Sequence, residues 1–230
     1  MIIQNSCSGM FTDKSKADAF FANLNKGSVS AYKDYWASVT PNNNADIFRR
    51  YLFAFMSVHT SWQGNCNGYN AIKNFDEWTN DKEILRSKLK ESGVGLHNNR
   101  TNFVWDFKEQ FWANPKDFYL TAKKYHVKKR DSIVNKIKGL GKAKVSFALE
   151  MIHPNFARTL CLDVHMLRLY GNEHLSYGSN TGANEYRKIE RHWMVNCGKQ
   201  KIPSYIARCM YWDNMKNEND SRYWSYVLES

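Results

Sequence analysis

The residues whose types and spacing could support chemistry lie within the stretch 131–171. Gly139 and Gly141 enclose a single leucine, and two glycines at this spacing let the backbone N–H groups of a turn approach a ligand closely. The first N–H groups of a helix after the turn would point outward with the positive end of its dipole, which suits phosphate. Asp163 follows about twenty residues later, at the head of another predicted helix, where an aspartate can act as the cap. The pattern predicts a phosphate-binding turn and a carboxylate held at a helix start.

The elements that must position these groups are helices. Before the turn, three apolar residues are spaced to share one helical face: Ile133, Ile137 and Leu140. After it, an apolar helix is predicted over about 143–152. Earlier in the chain a strongly apolar helix is predicted from residue 45 to about 60, with Asn44 as its cap, and another helix over 118–125. With only four prolines and few runs of β-branched residues, the sequence predicts an all-α protein.

Two segments within this stretch resemble a known signature. Residues 137–141 read Ile-Lys-Gly-Leu-Gly, and residues 162–168 read Leu-Asp-Val-His-Met-Leu-Arg. With the helix between them, they are similar to the helix-hairpin-helix (HhH-GPD) superfamily of DNA base-excision glycosylases, which includes endonuclease III and the 8-oxoguanine glycosylases. In that superfamily the hairpin grips a DNA phosphate, a role that the resemblance assigns to Gly139 and Gly141. The catalytic carboxylate follows at the position of Asp163.

The resemblance also implies how the chain is organised. The expected fold has two helical lobes with the active cleft between them. Residues 45–142 would form a helical barrel lobe that ends in the hairpin. Residues 1–44 and 143–230 would join into a second lobe that carries Asp163.

Side chains near the two motifs are predicted DNA contacts. Lys138 and Lys142 adjoin the glycines of the hairpin and are candidates for phosphate binding. His165 and Arg168 lie on the helix after the aspartate and are further candidates, with an intramolecular ion pair as an equal alternative for Arg168.

Three earlier features are weighed for contact with DNA. His59 ends the helix predicted over 45–60, where relatives place a polar residue that fills the hole left by the extruded base; a capping or core histidine is the alternative. Arg100 is predicted to be a solvated or paired surface arginine, with contact to a DNA phosphate as the alternative. Lys123-Lys124 and Lys128–Arg130 form a basic cluster just before the hairpin, and we predict that it contacts DNA.

The chain departs from the resemblance at the nucleophile. Bifunctional members of the superfamily carry a lysine two residues beyond the second hairpin glycine, and its amine forms a Schiff base with the sugar. Here that position is Ala143, between Lys142 and Lys144. One residue along a helix is a rotation of about 100°, so Lys144 would face the cleft only if the turn were longer. The favoured reading is hydrolysis by water with Asp163 alone, and a lyase that uses Lys144 is the alternative.

Two other functions stay open. A phage-type branch of the same fold, thought to act on hypermodified thymines by group transfer on the base, would fit the short chain and the shifted lysine. A hairpin module that recognises DNA structure without catalysis is less favoured, because Asp163 is retained. The target base is not identified, and the aromatic residues that would stack on it or belong to the core are Trp62, Phe147, Trp193 and Trp212.

Composition favours a DNA partner. Lys plus Arg number 33 against 22 acidic residues, for a formal charge of +11, which favours a polyanion through counterion release. No run of eighteen apolar residues and no signal peptide is visible. We therefore expect a soluble monomer in the cytoplasm of a bacterial or phage-infected cell, or on its nucleoid, that binds double-stranded DNA and no membrane.

The cysteines bear on cofactors. The five are scattered, with no C-x-x-C pair, and indicate reduced thiols: Cys7, Cys66, Cys161, Cys197 and Cys209. Several relatives hold an iron–sulfur cluster on four closely spaced cysteines after the catalytic helix, whereas here only two cysteines lie in that region. We predict no cluster and no metal ligand set, and the resemblance leaves room for a monovalent cation at the hairpin.

Overall fold

The computed structural model describes residues 12–122, 124–175 and 179–216, and within these ranges every regular element is a helix. The α-helices are Ser15–Ala22 (α1), Lys26–Ser38 (α2), Asn44–Met56 (α3), Trp62–Ile72 (α4), Lys82–Glu91 (α5), His97–Ala113 (α6), His126–Lys136 (α7), Lys142–Ile152 (α8), Val164–Leu169 (α9), Asn180–Gln200 (α10) and Ser204–Lys216 (α11). Short 3-10 turns occupy Phe75–Glu77 and Pro115–Phe118. The prediction of an all-α fold is confirmed.

Polar side chains decide where several helices begin. The side chain of Asn43, rather than the predicted Asn44, accepts the N–H of Asp46 at 2.9 Å and caps α3. Ser61 caps α4 by accepting the Gly64 N–H at 3.1 Å. Such caps satisfy backbone donors that a helix start leaves unpaired.

Two predicted helical segments are wrong in extent. The helix that begins near residue 45 ends at Met56, several residues before the predicted end. The helix predicted over 118–125 is absent from its described residues, because the backbone of Tyr119 is extended and the N–H of Leu120 donates to the side chain of His153 at 3.1 Å. Burial of Phe118 and Leu120 in the core replaces the regularity that a helix would have given.

The core around α3 is built from aromatic rings. Phe48 is fully buried on α3. Its ring is stacked on that of Phe107, with 5.6 Å between the ring centroids, and is edge-on to that of Phe75, with 5.2 Å between the centroids. α3 also packs extensively against α8 and α4. Because interiors of this kind are close-packed, α3 and α8 form a rigid support for whatever their ends carry.

Helices from the two ends of the chain pack together. The ring centroids of Phe21 on α1 and Trp193 on α10 are 4.7 Å apart. Those of Trp36 on α2 and Tyr205 on α11 are 4.8 Å apart. α8, which the lobe division assigns to the second lobe, contacts α3 and α7 most. The lobe boundaries at residues 44 and 142 stay a prediction. In the part of the chain that the structure describes, no helix combines the length and apolarity required to cross a bilayer.

Candidate active site

A cavity of about 730 Å³ opens where four parts of the chain meet. They are the turn after α3, the glycine turn with the start of α8, the segment 161–165, and one face of α11. The volume lies within the range of small-ligand sites, about 300–1,000 Å³. Asp163, the two hairpin glycines and both Lys142 and Lys144 line this one cavity, so the two motifs that lie about twenty residues apart converge here.

Asp163 caps α9 as the sequence predicts. Its Oδ1 accepts the backbone N–H groups of His165 and Met166, both at 3.0 Å. Its Oδ2 lies 3.6 Å from Nη1 of Arg208, on α11, and its side chain is 20% exposed. The carboxylate is thus fixed through one oxygen and borders the cavity with partial access to solvent.

A buried ion pair holds the chain just before Asp163. Glu150 of α8 is fully buried, and its Oε1 accepts the backbone N–H of Cys161 at 2.8 Å. Its Oε2 accepts Nε of Arg208 at 2.9 Å and lies 2.8 Å from Nη2. Burial raises the pKa of Glu150 to about 7, although the Arg208 guanidinium opposes that shift. Burial alone would lower the pKa of Arg208, but the neighbouring Glu150 charge helps to raise it well above its ordinary value.

A second buried pair lies one residue earlier in the same segment. Glu190 of α10 accepts the backbone N–H of Leu160 at 2.9 Å and is paired with Arg130 of α7. The hydroxyl of Tyr186 donates to the carbonyl of Leu160. Two carboxylates from different helices therefore accept consecutive backbone N–H groups of the extended segment, and only that of Glu150 is also paired with the arginine beside Asp163.

The glycine turn is set by two different requirements. Gly139 has φ 86°, and a Cβ at this position would lie 2.4 Å from Cδ2 of Phe103. Gly141 has φ −85°, precedes the first residue of α8, and has no atom within 4 Å of where a Cβ would stand. Gly139 is thus demanded by the fold, whereas the space at Gly141 is open to a ligand at the start of α8.

The lysines of the first turn of α8 face the cavity. Lys142, Ala143 and Lys144 all line it, because this first turn forms part of the cavity wall. Nζ of Lys144 lies 5.7 Å from the centroid of the Phe147 ring, another lining residue. The turn therefore brings Lys144 to the site although the usual lysine position holds Ala143.

His59 lies on an irregular turn and not at a helix end. It is exposed, has φ 47° and lines the cavity. Arg100, which the sequence predicts at the surface, is instead buried and donates to the carbonyls of Phe55, Val58 and Gly95. A positive φ at a non-glycine residue costs energy and survives only where surrounding contacts enforce it, and Arg100 supplies part of that enforcement.

The other predicted DNA contacts divide into two groups. His165 lines the cavity, with its ring edge-on to Trp212 at 4.6 Å. Lys138 and Arg168 are exposed and lie outside the cavity wall. Nε of Arg168 lies 3.9 Å from Oε1 of Glu173, the ion pair that the sequence left open.

The basic cluster before the hairpin is not beside it. Lys128 and Lys129 are the third and fourth residues of α7, so about 10–12 Å of helix separates them from its last residue, Lys136. Nζ of Lys129 donates to the carbonyl of Lys116, and Arg130 is buried in its ion pair. Lys123 lies outside the described residues. Contact between this cluster and DNA stays a prediction.

Of the candidate stacking residues, Trp62, Phe147 and Trp212 line the cavity, whereas Trp193 is fully buried in the core. Sequence reasoning missed further lining residues, among them Asn65, Tyr205 and Arg208. Asn65 is buried, and within the described part of the chain its Oδ1 has no hydrogen-bond partner. A polar residue on the inner face of α4 was the only available signal for it.

The four described cysteines are thiols. Cys161, Cys197 and Cys209 are buried and Cys66 is half-buried, and Cys7 lies outside the described residues. Burial raises the pKa of the Cys161 thiol to about 12, so this cavity residue is protonated at neutral pH. Among the residues described, no three or more His, Cys, Asp or Glu side chains are grouped to hold a metal.

Known structures share the fold. The Methanocaldococcus jannaschii 8-oxoguanine glycosylase/lyase, crystallised with a 15mer DNA containing 8-oxoguanine, matches with a TM-score of 0.67 at 20% identity, over 89% of this chain and 97% of that one. A second structure of the 8-oxoguanine DNA glycosylase from that organism matches with a TM-score of 0.64 at 16% identity, over 89% of this chain and 91% of that one. The Thermotoga maritima 8-oxoguanine DNA glycosylase matches with a TM-score of 0.67 at 16% identity, over 90% of this chain and 100% of that one.

Comparison with curated protein sequences gives no significant match. The sequence family described as 8-oxoguanine DNA glycosylase, in contrast, matches residues 28–202, which is most of the chain. The chain therefore belongs to the 8-oxoguanine DNA glycosylase family.

Proposed function

We propose that the protein extrudes an oxidised purine of the 8-oxoguanine type from duplex DNA and hydrolyses its N-glycosidic bond, with Asp163 as the catalytic carboxylate. The observation that carries the proposal is the position of Asp163. One of its oxygens is held by two backbone N–H groups, and the carboxylate borders a cavity that the glycine turn also lines. The acidic group and the phosphate-binding turn thus converge on one nucleotide-sized space.

Each step of the reaction has a group in this site. The turn at Gly139–Gly141 and the start of α8 offer backbone N–H groups to a phosphate. Extrusion of the base costs a few kcal/mol, and His59 on its exposed turn would fill the space that the base leaves. Trp62, Phe147 and Trp212 supply aromatic surface to the base inside the cavity.

Bond cleavage then depends on charge. As the bond between the sugar C1′ and the base nitrogen lengthens, positive charge grows on the sugar, and a nearby carboxylate stabilises it. A water oxygen bonds to C1′, its proton passes to Asp163, and the base departs with the electron pair of the broken bond. The products are a free base and an abasic site on an intact strand.

The experiment incubates the protein with duplex oligonucleotides that contain 8-oxoguanine, uracil, an alkylated base or a modified pyrimidine. Release of free 8-oxoguanine from an intact strand is expected. D163N keeps a side chain that can cap α9, so it should fold and bind duplex while losing about 100-fold or more of the rate. An intact strand bearing a base of altered mass would favour group transfer instead. A wild type that binds duplex without changing any base, together with a D163N variant that binds equally well, would indicate a binding module.

A second candidate is a glycosylase/lyase in which Lys144 attacks the sugar. The observation in its favour is that Lys144 lines the cavity together with Asp163. The amine would bond to C1′ as the base departs with the electron pair of the glycosidic bond, and it would lose a proton to the carboxylate. The sugar ring would then open to a Schiff base, after which elimination cuts the strand. Borohydride would trap a covalent adduct in wild type and K142A but not in K144A. Absence of any adduct would leave hydrolysis as the mechanism.

A further inference from the structure

We propose that Arg208 is the positioning residue of Asp163 and that the buried Glu150 anchors it. The inference rests on the proposed function, because it assigns a role in the same site. It starts from the two oxygens of Asp163, which have different surroundings. Oδ1 is occupied by the N–H groups of His165 and Met166, whereas Oδ2 lies 3.6 Å from Nη1 of Arg208.

Arg208 is itself held on several sides. Nε donates to Oε2 of Glu150 at 2.9 Å, and Nη2 lies 2.8 Å from the same oxygen. Its guanidinium carbon lies 5.2 Å from the centroid of Phe147 and 5.1 Å from that of Tyr205. A planar guanidinium held by aromatic faces and a buried carboxylate has little freedom. Nη1 is therefore presented to Asp163 in a fixed direction.

Glu150 acts on Asp163 along a second route. Its Oε1 accepts the N–H of Cys161, two residues before Asp163 in the chain. One buried carboxylate thus fixes both the backbone that carries Asp163 and the cation that faces its Oδ2. A catalytic carboxylate misplaced by about 1 Å can cost about 100-fold in rate, which is why such double support matters for function.

The chain contains a matched control for this arrangement. Arg130 and Glu190 form another buried pair, and Glu190 likewise accepts a backbone N–H of the same segment, that of Leu160. Neither residue lines the cavity. Removing both charges of a buried pair avoids leaving one charge unpaired, so double variants are the suitable comparison.

The experiment measures the single-turnover rate of base release from an 8-oxoguanine duplex, the affinity for a duplex with a tetrahydrofuran abasic analogue, and Tm. E150Q/R208Q should lose about 10- to 100-fold in rate while its duplex affinity stays within about threefold. R130Q/E190Q should show a decrease in Tm similar to that of E150Q/R208Q but keep its rate of base release within about threefold of wild type. R208K keeps a charge beside Glu150 but has no fork to reach both carboxylates, so it should lose about tenfold in rate with a Tm near that of wild type.

Four results would overturn the inference. E150Q/R208Q and R208K could retain the wild-type rate, or both double variants could lose rate in proportion to their loss of Tm. If E150Q/R208Q does not fold, R208K decides, and a wild-type rate in R208K rejects the role. A wild-type protein that releases no base from any duplex rejects the proposed function and this inference with it, whereas an active wild type with unaffected variants rejects the inference alone.

Discussion

The Cα of Gly139 faces the ring of Phe103 so closely that an added Cβ would stand 2.4 Å from Cδ2 and 2.6 Å from Cγ. The same residue has φ 86°. Two residues later, Gly141 has an ordinary φ and open space around its Cα. The two glycines of one motif are therefore present for different reasons.

This difference predicts opposite outcomes for the two alanine variants. G139A combines a left-handed backbone with a steric clash and should lose about 2–4 kcal/mol of unfolding free energy. G141A should keep its Tm within about 2 °C and instead weaken binding to duplex DNA, because a methyl group would occupy the approach to the start of α8. Thermal unfolding and a duplex binding titration measure both, and equal Tm losses in the two variants would contradict the assignment.

His153 makes stability depend on pH. Its Nε2 accepts the Leu120 N–H, so the folded state requires a neutral ring, and burial, with the nearby His126, lowers its pKa from 6.5 to about 4. The contribution of His153 to the free energy of unfolding is complete above about pH 6.5. Between pH 6.5 and about 4 only the unfolded state takes up the proton, so stability falls as the pH falls through that window.

The measurement is Tm from pH 7.5 to 4.5. H153Q keeps an acceptor for the Leu120 N–H but does not titrate, so its Tm should fall less steeply below pH 6.5. Parallel curves for wild type and H153Q would show that this histidine does not set the pH dependence.

Asn65 predicts a trade between stability and function. Asn65 lines the cavity, and its buried Oδ1 has no hydrogen-bond partner among the described residues, an arrangement that costs folding energy. N65A should therefore keep its Tm or gain about 2 °C, while base release slows about tenfold. N70A, at an exposed position on the same helix, is the control and should change neither quantity. An N65A protein with normal base release would reject a role for this amide in holding the base.

His59 is predicted to act in extrusion and not in folding. The side chain is exposed, so its loss in H59A should shift Tm by less than about 2 °C. An alanine at this position with its positive φ adds backbone strain, which would lower Tm separately. H59N, whose side chain tolerates a left-handed backbone better, controls for that strain. Extrusion can be followed by 2-aminopurine fluorescence in a duplex, and H59A should reduce the signal. If H59A and H59N both lowered Tm together with the fluorescence signal, the result would indicate a structural role.

Local patterns in the sequence determined the elements of the site. Asp163 caps α9 through N–H groups two and three residues away. Ile133, Ile137 and Leu140 are all buried, although α7 ends at Lys136 and only Ile133 lies on the predicted helical face. Caps, turns and helical faces arise from interactions within a few residues, so their signals are legible along the chain.

Only the tertiary structure decided which distant side chains complete the site. Arg208 meets Glu150 across 58 residues and reaches Asp163, and Arg100, expected at the surface, is buried on carbonyls more than 40 residues away. Such contacts have no periodic signature, because they depend on how helices pack and on which buried charge must be neutralised. The sequence therefore predicted the carboxylate at a helix start, and only the tertiary structure brought the Glu150–Arg208 pair of α8 and α11 beside it.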